Sequence, residues 1–310
     1  MMEMQSVLDL IGHTRLLNLR RVHAGPGRLV AKAEFVQPGG SVKDRAAKIV
    51  IESALWDGSL KPDQPVVEMT SGNMGSALAV VCAVYGHPLT VTMSEGNSPE
   101  RIQILEQLGV RVERIPQVDG RPGQVTGSDI EAAIARAKEI AAEQGAFYVD
   151  QFNNPVCAEA HEHGTAPEIW EQVAGQLDAF VACVGTGATF LGASRFFKRQ
   201  RSPTLCVAVE PEGAEVLAGK PVTKPQHKLQ GTGYGRIPPL WEPKLIDAAI
   251  AIGDEEAEKY RELLAKREGL YVGYSAAANV AAAIKVLTSG KFTENATVAT
   301  VLCDAGWKYS

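Results

Sequence analysis

The sequence predicts an α/β protein built on parallel sheets that helices cover on both faces. Two observations carry this reading. Short β-branched runs alternate with helical stretches along most of the 310 residues. Several of those runs are apolar throughout, as strands buried on both faces are. A third observation concerns where function sits. The loops that follow these strands concentrate glycines, hydroxyls and a lysine, and ligands in such sheets bind beyond the carboxyl ends of the strands.

Taken in order, residues 28–35 alternate well enough for a strand, and 41–56 have helical periodicity. Ser41, with Asp44 three residues later, resembles a capping box with aspartate in place of the usual glutamate. Residues 65–70 read as a buried strand, 73–85 as an apolar helix and 89–93 as a strand. Ser98-Pro99 opens the next helix as N-cap and N1. After a strand at 110–115 comes a polar, Gly-rich stretch, 116–128, which is predicted to be a mobile surface loop. Helix, strand and helix resume over 128–173. Further strands fit 178–184, 204–210 and 297–303, and further helices fit 189–198, 254–268 and 275–287. We read two sheets, with a break near Gly145.

A net charge of -5 leaves no basic footprint for nucleic acid or for an anionic lipid surface. No apolar run is long enough to span a bilayer, and Met1-Met2-Glu3-Met4 lacks the pattern of a signal peptide. Cys82, Cys157, Cys183, Cys206 and Cys303 form no C-x-x-C pair, so they read as buried small hydrophobes in a reducing compartment. The expected location is the cytoplasm, and no metal site is expected.

Three strand-to-helix loops carry the chemistry. Gln37-Pro38-Gly39-Gly40-Ser41-Val42-Lys43 turns sharply and delivers Lys43 to a helix start. There the helix dipole disfavours an ammonium, as a Schiff-base lysine requires. Taken alone, Lys43 reads as a solvated surface lysine, as most lysines are. Thr70-Ser71-Gly72-Asn73-Met74-Gly75 crowds hydroxyls, an amide and backbone N–H groups at another helix start. That suits a carboxylate, although plain capping by Ser71 or Asn73 uses the same residues. Gly185-Thr186-Gly187-Ala188-Thr189 follows an apolar strand and suits a phosphate. It also suits a dinucleotide, with Glu210 as the ribose acid, but Phe190 stands where the third glycine belongs. Ser275 opens an Ala-rich helix, either as an N-cap or as a neutral hydrogen-bond partner for a ring nitrogen. A nucleophilic lysine, a carboxylate site, a phosphate cradle and a neutral partner for a heterocycle together match what pyridoxal 5'-phosphate requires.

Over nearly its whole length the sequence resembles the cysteine synthase/cystathionine β-synthase family of fold-type-II pyridoxal-phosphate enzymes. Besides the three loops, Ile11-Gly12-His13-Thr14, Gln151-Phe152-Asn153-Asn154-Pro155, Pro167-Glu168-Ile169-Trp170, Gln230-Gly231-Thr232-Gly233 and Asp304 to Tyr309 are similar to family motifs. The resemblance implies a two-domain, tryptophan synthase β-like fold, with a smaller mobile domain at 37–145 and a larger one at 1–36 plus 146–310. It implies that Lys43 binds the cofactor covalently and then serves as base at Cα. It implies cofactor contacts at Asn73, Gly185, Thr186, Gly187, Ala188, Thr189 and Ser275. The substrate would bind at Thr70, Ser71, Gly72, Met74 and Gln151. The expected reaction is β-replacement on an activated serine through an aminoacrylate, with sulfide or another thiol as nucleophile, in a homodimer.

Departures from the family pattern bear on the substrate. Met74 replaces a usual threonine, leaving its backbone N–H, and Ala188 replaces a usual glycine, which is tolerable unless a positive φ is needed there. Gln230 favours O-acetylserine over O-phosphoserine, whereas Tyr234 and Ser275-Ala276 look closer to cystathionine β-synthases. Arg236 stands where the family tends to be apolar, as a surface arginine or as a contact for a carboxylate-bearing second substrate. The alternatives to cysteine synthesis are condensation of serine or O-acetylserine with homocysteine, an inactive scaffold and a dinucleotide-binding protein.

Overall fold

A computed structural model describes residues 4–122, 125–200 and 204–309. The chain forms two compact units, Met1–Ile11 with Gln37–Cys157, and Gly12–Val36 with Ala158–Ser310. The sequence reading assigns 1–11 and 146–157 to the other unit, and local contacts explain the difference. The short turn Val7–Leu10 lies in the first unit, where Lys48 Nζ donates to Leu8 O at 3.1 Å. Gly145 ends a helix, but the chain then pairs Phe147 and Tyr148 with Val66 and Val67 of the same unit's sheet.

The first unit contains α1 (Lys43–Asp57), β3 (Val66–Met69), α2 (Asn73–Tyr85), β4 (Leu89–Ser94), α3 (Pro99–Gln107), β5 (Arg111–Ile115), α4 (Gly127–Gln144) and β6 (Phe147–Tyr148). Its four strands run parallel in the order β5-β4-β3-β6. Every residue of β3 and β4 is buried, as in strands covered on both faces. Thr126 and Asp129 form a reciprocal capping box at the start of α4. Asp129 also accepts from Val118 N at 2.6 Å, so the described flanks of the 116–128 segment are pinned to this helix. Residues 123 and 124 lie outside the described residues.

The second unit opens with β1 (Leu16–Asn18) and β2 (Arg28–Ala33). After α5 (Val156–Ala160), which begins in the first unit, come α6 (Ala166–Gln172), β7 (Ala179–Cys183), α7 (Ala188–Lys198), β8 (Leu205–Pro211) and β9 (Ala248–Ile252). It closes with α8 (Asp254–Leu263), α9 (Tyr274–Leu287) and β10 (Thr297–Leu302). The order is β1-β2-β10-β7-β8-β9, all parallel except β1. The Ala-rich α9 buries nearly its whole length against this sheet, because small side chains let the helix lie close. Asn279 fixes it there, accepting from Cys183 N at 2.6 Å and donating to Val301 O at 2.8 Å.

Two strands escape the sequence reading. β1 is a three-residue antiparallel edge, and β9 (AAIAI) has little intrinsic strand preference and forms by pairing with β8. The predicted helix 254–268 ends in a π-helical turn, Leu264–Glu268.

One buried ion pair gives a structural role to two of the family-like motifs. Lys32 is fully buried on β2, with Nζ 2.7 Å from Glu168 Oε2 and 2.6 Å from Thr14 O. Glu168 Oε1 accepts from His13 N at 3.0 Å. A charge this deep is tolerated only when paired and hydrogen-bonded.

Candidate active site

In the first unit the lysine loop wraps a carboxylate. Asp44 is fully buried; its Oδ1 accepts from Gly39 N and its Oδ2 accepts from Ser41 N at 3.2 Å. Only half of the reciprocal pattern expected of Ser41 and Asp44 forms: Asp44 accepts from Ser41 N, but Ser41 Oγ accepts from Lys43 N at 3.2 Å, and Val42 is the N-cap. A Cβ on Gly39 would stand 2.6 Å from Asp44 Oδ1 and 3.1 Å from Ala77 Cα, so a side chain there would displace the Asp44 carboxylate. The turn therefore sets Lys43 as the first residue of α1, half-buried. Its charge reaches the buried Cys157: burial pushes that thiol up to about 12, and Lys43 pulls against the rise.

The second loop ends at Gly72, the N-cap of α2, which carries no side chain to cap the helix. Thr70 Oγ1 accepts from Gly72 N at 3.3 Å, and Arg101 Nη1 of α3 donates to Ser71 O at 3.2 Å. Asn73 is the first residue of α2. The Met74 side chain is 2% exposed and belongs to the core, which leaves its backbone for any ligand.

Gln151 follows Asp150, whose φ is 53°. Asp150 is held there by Asn153 and Asn154, whose N–H groups donate to its carbonyl at 3.0 and 2.8 Å. Gln151 Nε2 donates to Glu68 Oε1 at 3.1 Å and to Met69 O at 3.0 Å. Both amide hydrogens are thus used within the unit, and a carboxylate bound at Gln151 must draw one away. Glu68 is fully buried, and its Oε2 has no hydrogen-bond partner. Desolvation pushes its pKa up to about 8; Asp150 adds to the rise and the Gln151 amide opposes it.

In the second unit the glycine loop after β7 packs on the Gln230–Gly233 turn. A Cβ on Gly185 would lie 2.1 Å from Gly231 O, and Gly233 N donates to Val184 O at 3.1 Å. Gly187 has φ 94° and is the N-cap of α7, again with no side-chain cap. Ala188 and Thr189 begin the helix, and Ala188 is not among the residues of positive φ, so its extra methyl is accommodated. Thr186 is buried, and Thr189 Oγ1 lies 3.3 Å from His161 Nε2. Ser275 is the second residue of α9 rather than its N-cap, which is Gly273, and its Oγ donates to Gln230 O at 3.4 Å. Glu210 is committed to its own backbone, accepting from Leu217 N at 2.7 Å and Ala218 N at 3.1 Å. That removes the acid the dinucleotide reading needs.

Residues 7–304 match the family described as pyridoxal-phosphate dependent enzyme. The chain belongs to this family. Cysteine synthase A of Escherichia coli (strain K12) is 41% identical over 307 residues, covering 96% of this chain and 91% of the relative. Cysteine synthase of Staphylococcus aureus (strain N315) is 38% identical, covering 98% and 94%. Among solved structures, the O-acetylserine dependent cystathionine β-synthase from Helicobacter pylori superposes with TM-score 0.89 at 33% identity, covering 100% of this chain and 98% of that one. Cysteine synthase from Entamoeba histolytica gives TM-score 0.90 at 31% identity, covering 99% and 89%.

This pyridoxal-phosphate dependent enzyme therefore takes pyridoxal phosphate as cofactor, and its residues fit the group. The uncapped N-terminus of α7, flanked by two threonines, suits a phosphate dianion. The loop before it follows a path on which a Cβ at Gly185 would collide. Among the described residues no cluster of three potential metal ligands occurs, and no helix is long and apolar enough to cross a membrane. Sequence reasoning missed the supports Glu68 and His161, and it named Asp44 only as a partner of Ser41. An acid inside the apolar run VVEM was the one available signal for Glu68.

Proposed function

We propose that this enzyme makes cysteine by β-replacement, exchanging the acetate of O-acetylserine for sulfide. The kinship with cysteine synthase A carries the choice of substrate, and the two helix starts with glycine at the N-cap support the binding chemistry. Gly185 to Thr189 hold the cofactor phosphate through backbone N–H groups and threonine hydroxyls. Ser275 serves the ring nitrogen as a neutral partner that does not enforce its protonation, and Asn73 holds a ring oxygen. Lys43 anchors the cofactor covalently. The substrate carboxylate sits at the start of α2, on Thr70, Ser71, the backbone of Gly72 and Met74, and Gln151.

When bound, pyridoxal phosphate withdraws electrons from the substrate Cα and so acidifies its proton. Lys43, set at a helix N-terminus that disfavours its ammonium form, takes that proton as general base. Acetate leaves from Cβ, sulfide adds there, and Lys43 returns the proton to Cα. We further place the enzyme in the cytoplasm as a homodimer. Its free thiols, four of them buried, accord with a reducing compartment.

The test supplies the purified holoenzyme with O-acetylserine and sulfide and measures cysteine and acetate. Equimolar products, abolished in Lys43→Ala together with the visible absorption of the bound cofactor, are expected. Cystathionine from homocysteine with no cysteine from sulfide would overturn the assignment. In that case the exposed Arg236 becomes the first residue to test for binding the second carboxylate.

A further inference from the structure

His161 is fully buried and starts a π-helical turn, His161–Thr165, between α5 and α6. Ala166 N closes this turn on His161 O. Such turns are rare and often mark functional sites. The imidazole spans two hydroxyls: Nδ1 is 2.9 Å from Thr165 Oγ1, and Nε2 is 3.3 Å from Thr189 Oγ1. Gly192, three residues beyond Thr189 on α7, lets the helix press onto the segment that carries the ring. A Cβ there would stand 2.1 Å from Ala158 O and 2.9 Å from His161 Cβ.

We infer that His161 is a positioning residue of the phosphate site, donating from Nε2–H to Thr189 Oγ1 so that the threonine proton is directed at the phosphate. This rests on the proposed assignment of Gly185 to Thr189 to that phosphate. A phosphate dianion offers only acceptors, so Thr189 must donate to it. A threonine hydroxyl has a single proton. If Nε2 lacked a hydrogen, the ring would compete with the phosphate for that proton. With Nε2 protonated, Thr189 accepts from the ring and its own proton is free to serve the ligand. Thr165 then donates to Nδ1, which completes a one-way chain from Thr165 through His161 and Thr189 to the phosphate. Such chains strengthen the last bond by polarisation.

The test compares cofactor dissociation from the holoenzyme across His161→Gln, His161→Leu and Thr189→Val. Glutamine places an N–H donor near the position of Nε2, so His161→Gln is expected to stay within a few-fold of wild type. His161→Leu and Thr189→Val are each expected to weaken pyridoxal phosphate about tenfold, the scale of one hydrogen bond to a charged group. Neither should weaken pyridoxal, which lacks the phosphate. Nitrogen-15 NMR of the holoenzyme is expected to show His161 bearing hydrogen on Nε2. An unaltered affinity in Thr189→Val would overturn the phosphate assignment itself. Weakening in Thr189→Val but not in His161→Leu would overturn the role of His161 alone, as would a hydrogen on Nδ1 only.

Discussion

Replacing Glu68 with glutamine removes a carboxyl group that the fold keeps protonated at neutral pH. Glu68 is fully buried on β3, with Gln151 Nε2 at 3.1 Å from Oε1 and no partner for Oε2. Burial raises its pKa from 4.5 to about 8. The folded state therefore holds a proton that the unfolded chain releases above pH 4.5. The stabilisation is fully present below pH 4.5 and is lost as pH rises through about 8. Within that window the slope is about 1.4 kcal/mol per pH unit. Between about pH 5.5 and pH 8.5, linkage gives a loss of about 3 kcal/mol that glutamine at this position does not suffer. The assay is urea unfolding of wild type and Glu68→Gln at both pH values, followed by circular dichroism. The difference between the two proteins should change by that amount, with the variant gaining on the wild type as pH rises. A difference that stays constant across the range would refute the reasoning and show Glu68 ionised throughout.

Gly185→Ala forces a Cβ into Gly231 O at 2.1 Å. It should cost about 1–3 kcal/mol of stability by thermal melting and weaken cofactor binding, as overpacking against rigid backbone does. Lys32→Met leaves Glu168 without its cation in a site where the lysine is fully buried. Chemical denaturation should report a loss of about 3–5 kcal/mol, much of which a second change of Glu168 to glutamine should recover.

Most of the sheet skeleton was legible in the sequence, and the reason is local. Strands such as AFVAC are buried on both faces and read as apolar runs, while glycines and Ser-Pro mark the turns between elements. The turns before α1 and α7 were legible for the same reason. Pro38-Gly39-Gly40 and Gly185-Thr186-Gly187 each leave the backbone few alternatives, and each stands directly before a helix. By itself the sequence determined the fold class, the cofactor family and the loops we propose for the chemistry. Only the tertiary structure decided what supports them. β9 exists because β8 pairs with it, and residues 147–148 join the first unit because β3 offers them an edge. Glu68 reaches Gln151 across 83 positions, and His161 meets Thr189 across 28. Contacts across such separations leave no period or local pattern to read. They form only when packed strands and helices close the intervening chain, and the burial that results is what fixes the protonation of Glu68 and the orientation of the imidazole.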